Sequence, residues 1–114
     1  MKKSFKIDML DITVQVEVYP EKKFYKKVFE LTKDASIIGL TYVKERKKGR
    51  MTFNIMLPKL DFLDHNTIAH EVAHTSLNIC EFIEAKIDPS NPEFFCYLNG
   101  FIAGNVYKIL TDEV

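Results

Sequence analysis

Alternating apolar and polar residues predict several β-strands in the first half of the chain. Residues 12–18 alternate Ile or Val with polar residues, a pattern typical of a half-buried strand. Residues 5–9 alternate in the opposite phase, so a bend is expected near Leu10. Two further strands, at residues 37–44 and 51–57, are expected to pair as a hairpin.

Apolar residues spaced three and four apart predict three helices. The first covers about residues 20–33, with Pro20 in its first turn. The second follows an N-cap at Asp64 or Asn66, and the last covers about residues 92–110. The order strand, helix, hairpin, helix, helix indicates an α+β fold in which a small, mostly antiparallel sheet packs on helices.

The composition is typical of one globular domain. A length of 114 residues suffices for a single core, and 46% hydrophobic with 28% charged residues is ordinary. Lys and Arg total 16, as do Asp and Glu, so the formal net charge is zero. We therefore expect a single domain over residues 1–114, with no nucleic-acid or membrane partner.

Targeting signals are not apparent in the chain. Residues 4–11 mix charged and apolar side chains where a signal peptide would be apolar, and no stretch approaches membrane-spanning length. A cytoplasmic protein is therefore expected, with Cys80 and Cys96 as free buried thiols. The basic residues between 44 and 50 surround Gly49, which favours an exposed turn over a binding patch.

The segment 70–74 reads His-Glu-Val-Ala-His, the HExxH pattern of zinc-dependent peptidases. Residues four apart lie on one face of a helix, so His70 and His74 can bind the same zinc ion. Glu71 then reaches a water on the metal without binding the metal itself. We therefore expect Glu71 to act as the catalytic base.

A catalytic zinc usually has three protein ligands and leaves a fourth position for water. His65 is the only other histidine, but it lies near or before the start of the helix. We expect it to be a solvated or substrate-side residue. Glu81 lies about 10 Å farther along the helix than His74, and Glu84 lies farther still, so neither suits the ion.

The best remaining ligand is Glu93, in the first turn of the last helix. An antiparallel return of that helix would bring its first turn back beside the motif. Glu93 could instead be an ordinary acidic residue at a helix N-terminus. Cys96, one turn later, is an alternative soft ligand.

Residues 70–74 followed by Glu93 resemble the gluzincins, thermolysin-like zinc peptidases whose third ligand is a Glu on the next helix. Residues 68–102 also resemble small metallopeptidase-like proteins of phages and mobile elements, with Glu-Phe-Phe-Cys-Tyr at 93–97 as the matching segment. The resemblance implies a zincin-like fold, a zinc cofactor and a peptide or protein substrate. Tyr97 replaces an Asp of the thermolysin-like enzymes. Its hydroxyl could orient a ligand or donate to an oxyanion, or the residue could lie in the core.

The zincin resemblance also implies that the strand before the motif helix pairs with extended substrate. Residues 51–57 are therefore expected at the sheet edge, with Asn54 and Met56 facing the cleft; ordinary sheet pairing is the alternative. A non-catalytic protein-binding module, with zinc structural or absent, is the second functional hypothesis, although the intact Glu71 argues against it. A nucleic-acid-associated protein is a weaker third, resting only on residues 44–50.

Overall fold

The computed structural model describes residues 1–34, 36–45, 50–90 and 92–112. The predicted α+β class is confirmed, because a four-stranded sheet packs with three helices. In chain order the elements are β1 (Lys2–Ile7), β2 (Ile12–Tyr19), α1 (Glu21–Thr32), β3 (Leu40–Glu45), β4 (Met51–Pro58), α2 (His65–Phe82) and α3 (Glu93–Asp112).

The sheet is mixed, with strand order β1-β2-β4-β3. The β1/β2 and β3/β4 pairs are antiparallel, and the central β2/β4 pair is parallel. The predicted hairpin is confirmed: Leu40 lies opposite Met56, and Glu45 lies opposite Met51. Gly49, which was expected in its turn, lies outside the described residues.

The predicted bend near Leu10 is a tight turn between two antiparallel strands. A single 3-10 turn, Asp8–Leu10, follows β1, and Asp11 then has left-handed backbone angles of φ 51° and ψ 44°. The change of phase in the apolar pattern therefore marks the boundary between β1 and β2.

The expectation that residues 51–57 form the sheet edge is wrong. β4 pairs with β2 on one side and with β3 on the other, so both edges of its main chain are used. Asn54 and Met56 are each only 2% exposed, and they line a cavity on the sheet face away from α2, so they do not face the motif helix. The edge strand on this side of the described sheet is β3.

One face of the sheet is covered by α2 and α3, and this contact forms the main core. Its buried side chains from the four elements β2, β4, α2 and α3 include Val14, Val16, Phe53, Ile55, Ile68, Val72, Ile79, Ile102 and Val106. On the opposite face, α1 forms a smaller cluster through Phe24 and Val28. None of the described helices is both long and apolar enough to cross a membrane.

The start of α2 is set by its N-cap. The Asp64 carboxylate accepts hydrogen bonds from the backbone N–H of Thr67 at 3.2 Å and from its hydroxyl at 2.8 Å. These bonds satisfy a donor that the first helical turn leaves free. They confirm Asp64 as the cap and place the motif in the middle of a regular helix.

Thr52 provides a test of the sheet packing. Its hydroxyl is buried and has no hydrogen-bond partner within the described part of the chain. We expect Thr52→Val to raise the free energy of unfolding by about 1 kcal/mol, since it removes an unsatisfied buried polar group. The measurement is chemical denaturation.

Thr75→Val is the matched control for this test. Thr75 is as buried as Thr52, at 1% exposed each, but its hydroxyl donates to the Glu71 carbonyl at 2.9 Å. This variant should lose about 1 kcal/mol of stability. Equal destabilisation by the two substitutions would show that the Thr52 hydroxyl is satisfied in solution.

Candidate metal site and catalytic residue

The packing of α2 places its two motif histidines on the outer face of the helix. Ile68, Val72 and Ile79 are buried against the sheet and α3. With 3.6 residues per turn, His70 and His74 then point away from the core, and both are exposed. They are accessible to an ion from solvent.

The two imidazoles converge on one point. The Nε2 atoms of His70 and His74 are 3.0 Å apart, and the ring centroids are 4.7 Å apart with the planes inclined at 67°. Two imidazole nitrogens on a tetrahedral zinc ion would be about 3.3 Å apart, given Zn–N bonds of roughly 2.05 Å. A single N–H···N hydrogen bond also suits the observed distance. The geometry therefore fits two zinc ligands with little movement.

Glu71 lies on the adjacent side of α2 and is buried, at 6% exposed. Its side chain lies against Gly39, the residue immediately before β3. A side-chain carbon built on Gly39 would be 3.0 Å from Glu71 Cγ and 3.1 Å from its Oε2. The carboxylate is thus held between α2 and the start of the edge strand.

The Glu71 carboxylate has no hydrogen bond or ion pair to any other described residue. Burial raises the pKa of this carboxyl, and the neighbouring His70 and His74 act in the opposite direction. Buried carboxylates are normally paired, so an unpaired one beside two potential metal ligands is a candidate functional group.

A third metal ligand is not assembled in the described part of the structure. No three His, Cys, Asp or Glu side chains among those residues are grouped to hold an ion. Two contacts show why Glu93 is not beside the histidines: Ser76 Oγ donates to Asn99 at 2.9 Å, and His65 Nδ1 lies 3.1 Å from the Tyr107 hydroxyl. α3 therefore runs antiparallel to α2, as expected.

The register of this helix pair places Glu93 beside the end of α2. Glu93 precedes Asn99 by six residues, about 9 Å along the axis, in the direction away from His74. It therefore lies level with Phe82, roughly 12 Å along α2 from His74. Ligation by Glu93 stays a prediction, and it would require the first turn of α3 to move along α2.

The other residues considered from the sequence lie apart from the histidine pair. His65 stacks on the Tyr107 ring with centroids 5.4 Å apart, which accounts for its position without a metal. Tyr97 is 74% exposed, so the alternative that it is a core residue is wrong. Cys80 and Cys96 are both free thiols, as expected. Cys80 is buried, but Cys96 is exposed, so the expectation that both are buried is wrong for Cys96.

Two of the cavities formed by the described residues border the sheet, and the smaller of these two lies nearer to Glu71. The larger, of about 940 Å³, lies on the sheet face away from α2 and is lined by polar residues including Glu17 and Tyr42. The second, of about 600 Å³, lies at the start of α2 and includes Ile38 and Thr67. Ile38 precedes Gly39, and Thr67 lies one turn before Glu71, so this cavity adjoins the candidate site.

The close packing of Gly39 against Glu71 was missed in the sequence. A glycine inside a predicted strand often marks a close approach of another element, and Gly39 lies within the strand expected at residues 37–44. That signal indicates a close contact but not which element makes it. No family model matches this chain, and no curated protein or solved structure shows significant similarity to it.

Zinc binding is the first test of this site. The protein is expected to bind about one zinc ion per chain through His70 and His74. His70→Ala and His74→Ala should each abolish binding, because a single remaining imidazole has no partner on that face. The measurements are the metal content after dialysis and isothermal titration calorimetry with zinc. His65→Ala is the control and should bind zinc as wild type does. Full zinc content in both motif variants would refute the site.

The third ligand is tested by comparing two carboxylates. We expect Glu93→Ala to weaken zinc binding more than Glu81→Ala, because Glu81 is fixed on α2 about 10 Å from His74, whereas Glu93 belongs to a separate helix. Titration with a competing chelator measures the difference. Equal affinity in wild type and Glu93→Ala would mean that the helix register persists in the metal complex and that the ion has two protein ligands.

Proposed function

We propose that this protein is a zinc-dependent peptidase with a zincin-like active site. The observation that carries the proposal is the convergence of the two Nε2 atoms, 3.0 Å apart, beside a buried and unpaired Glu71. Zinc, when bound there, would polarise a scissile carbonyl and acidify a water molecule. The HExxH spacing and these positions are what support the assignment of zinc.

Glu71 has the acid–base role in this proposal. Its carboxylate would accept the proton of the attacking water and deliver it to the leaving amide nitrogen. Its lack of a hydrogen-bond partner among the described residues leaves it available for that water. The carboxylate lies against Gly39, between α2 and the start of β3.

The substrate-binding edge in this proposal is β3, which replaces the strand expected from the sequence. β3 has a free edge in the described sheet, and its first residue, Leu40, directly follows Gly39. An extended peptide can add to such an edge through main-chain hydrogen bonds. A peptide paired there would have its backbone next to Glu71. The neighbouring 600 Å³ cavity could receive one of its side chains.

The second candidate function is a protein-binding module without catalysis. It is favoured by one observation, the absence of a third ligand beside His70 and His74 among the described residues. In that case the β3 edge would hold a partner segment, and the histidines would be solvated. Failure to bind zinc would support this function over the peptidase.

Glu71→Gln separates binding from chemistry. Gln has nearly the shape of Glu, so zinc affinity and the thermal unfolding temperature should stay close to those of wild type. Gln cannot accept the water proton, so hydrolysis should fall by at least about a hundredfold. The assay uses zinc-loaded protein and a library of fluorescence-quenched peptides, with chelator-treated protein as the blank.

The outcomes of this assay are distinct. Chelator-sensitive cleavage by wild type with loss in Glu71→Gln supports the mechanism. Equal cleavage by both proteins refutes Glu71 as the base. A zinc-loaded wild type that cuts no peptide of the library refutes the peptidase and favours the binding module.

A further inference from the structure

Gly39 has less space around it than any side chain requires. A methyl carbon at this position would lie 2.8 Å from Thr67 Cγ2, 3.0 Å from Glu71 Cγ and 3.1 Å from Glu71 Oε2. The first distance is shorter than carbon–carbon contacts in folded proteins. The φ angle of Gly39 does not lie in the left-handed region that favours glycine. Glycine is therefore required here by space and not by backbone conformation.

The close approach matters because packing alone determines where the Glu71 carboxylate lies. No hydrogen bond from another described residue fixes this carboxylate. Its neighbour Thr67 is itself held, since the Thr67 hydroxyl donates to the Asp64 cap at 2.8 Å. Gly39, immediately before β3, thus lies against the Glu71 side chain and limits the positions that its carboxylate can take.

We propose that Gly39 is a positioning residue for Glu71, acting by allowing the start of β3 to close against the carboxylate. The role rests on the proposed peptidase function. An added methyl group must displace Thr67 Cγ2, push the Glu71 side chain aside by a few tenths of an ångström, or separate β3 from α2. The last two responses move the carboxylate relative to the Nε2 atoms of His70 and His74. A displacement of about 1 Å in a catalytic group can cost roughly a hundredfold in rate.

The central experiment compares Gly39→Ala with Gly104→Ala in zinc-loaded protein. Gly104 is the matched control, because a carbon added there meets no other atom within 4 Å. With a quenched peptide that wild type cleaves, Gly39→Ala should lower kcat by at least about tenfold. Zinc affinity should change by less than about twofold, and KM should change by a smaller factor than kcat. Gly104→Ala should match wild type in all three quantities. A wild-type kcat in folded Gly39→Ala overturns the proposal.

A second variant separates positioning from simple loss of stability. Thr67→Ser removes Cγ2, the atom closest to the added methyl group, and keeps the hydroxyl that bonds Asp64. The double variant Gly39→Ala/Thr67→Ser should recover part of the unfolding temperature lost by Gly39→Ala. Its kcat should stay low, because the contacts with Glu71 Cγ and Oε2 remain. Recovery of kcat in the double variant would show that Gly39 merely makes room for Thr67.

A double-mutant cycle on the free energy of unfolding tests the contact between Gly39 and Glu71 without any enzymatic assay. Glu71→Ala removes both Cγ and Oε2, so Gly39→Ala should destabilise the Glu71→Ala protein less than it destabilises wild type. Gly104→Ala should have the same effect in both backgrounds. Additive effects of Gly39→Ala and Glu71→Ala would overturn the proposed contact.

These measurements distinguish the two proposals. A zinc-loaded wild type that cuts no peptide refutes the peptidase, and the positioning role with it, even if the double-mutant cycle shows coupling. Cleavage by wild type with full kcat in Gly39→Ala refutes only the role of Gly39.

Discussion

The packing of α2 on the sheet determines the geometry of the candidate site. Val72 and Ile79 are almost fully buried against the strands, and this fixes the rotation of the helix about its axis. Given 3.6 residues per turn, that rotation places His70 and His74 outward and Glu71 toward β3. The three side chains therefore acquire different environments from one helix orientation. His70 and His74 can bind an ion from solvent, whereas the Glu71 side chain beside them is buried.

Much of this arrangement could be predicted from local patterns in the sequence. The helical spacing of apolar residues around the motif and the cap at Asp64 are both local features, and both are confirmed. The position of β4 could not be predicted in the same way. Its parallel pairing with β2 joins residues nearly 40 apart, such as Gln15 and Asn54, across α1 and β3. The polar residues Thr52 and Asn54 lie in β4, and both are buried in the central pair of strands.

The third ligand shows a second limit of sequence reasoning. The antiparallel return of α3 was predicted, and the Ser76–Asn99 hydrogen bond is consistent with it. Whether a residue of α3 can bind the ion also depends on the position of α3 along the axis of α2. A shift of one helical turn along that axis moves a carboxylate by about 5 Å. Spacing along the chain does not determine that register, because the sequence does not specify how far the chain travels between the two helices. The sequence alone therefore does not determine whether Glu93 lies beside the histidines.

The short segment at the start of β3 contributes to three features of the proposed peptidase. Ile38 lines the cavity beside the motif helix, Gly39 lies against Glu71, and Leu40 begins the edge strand. Any displacement of this segment would change the side-chain pocket, the position of the base and the main-chain edge together. Peptide pairing along β3 would in turn hold the strand against α2. Substrate binding and alignment of Glu71 are therefore mechanically coupled in the proposed enzyme, through a contact that only a residue without a side chain can make.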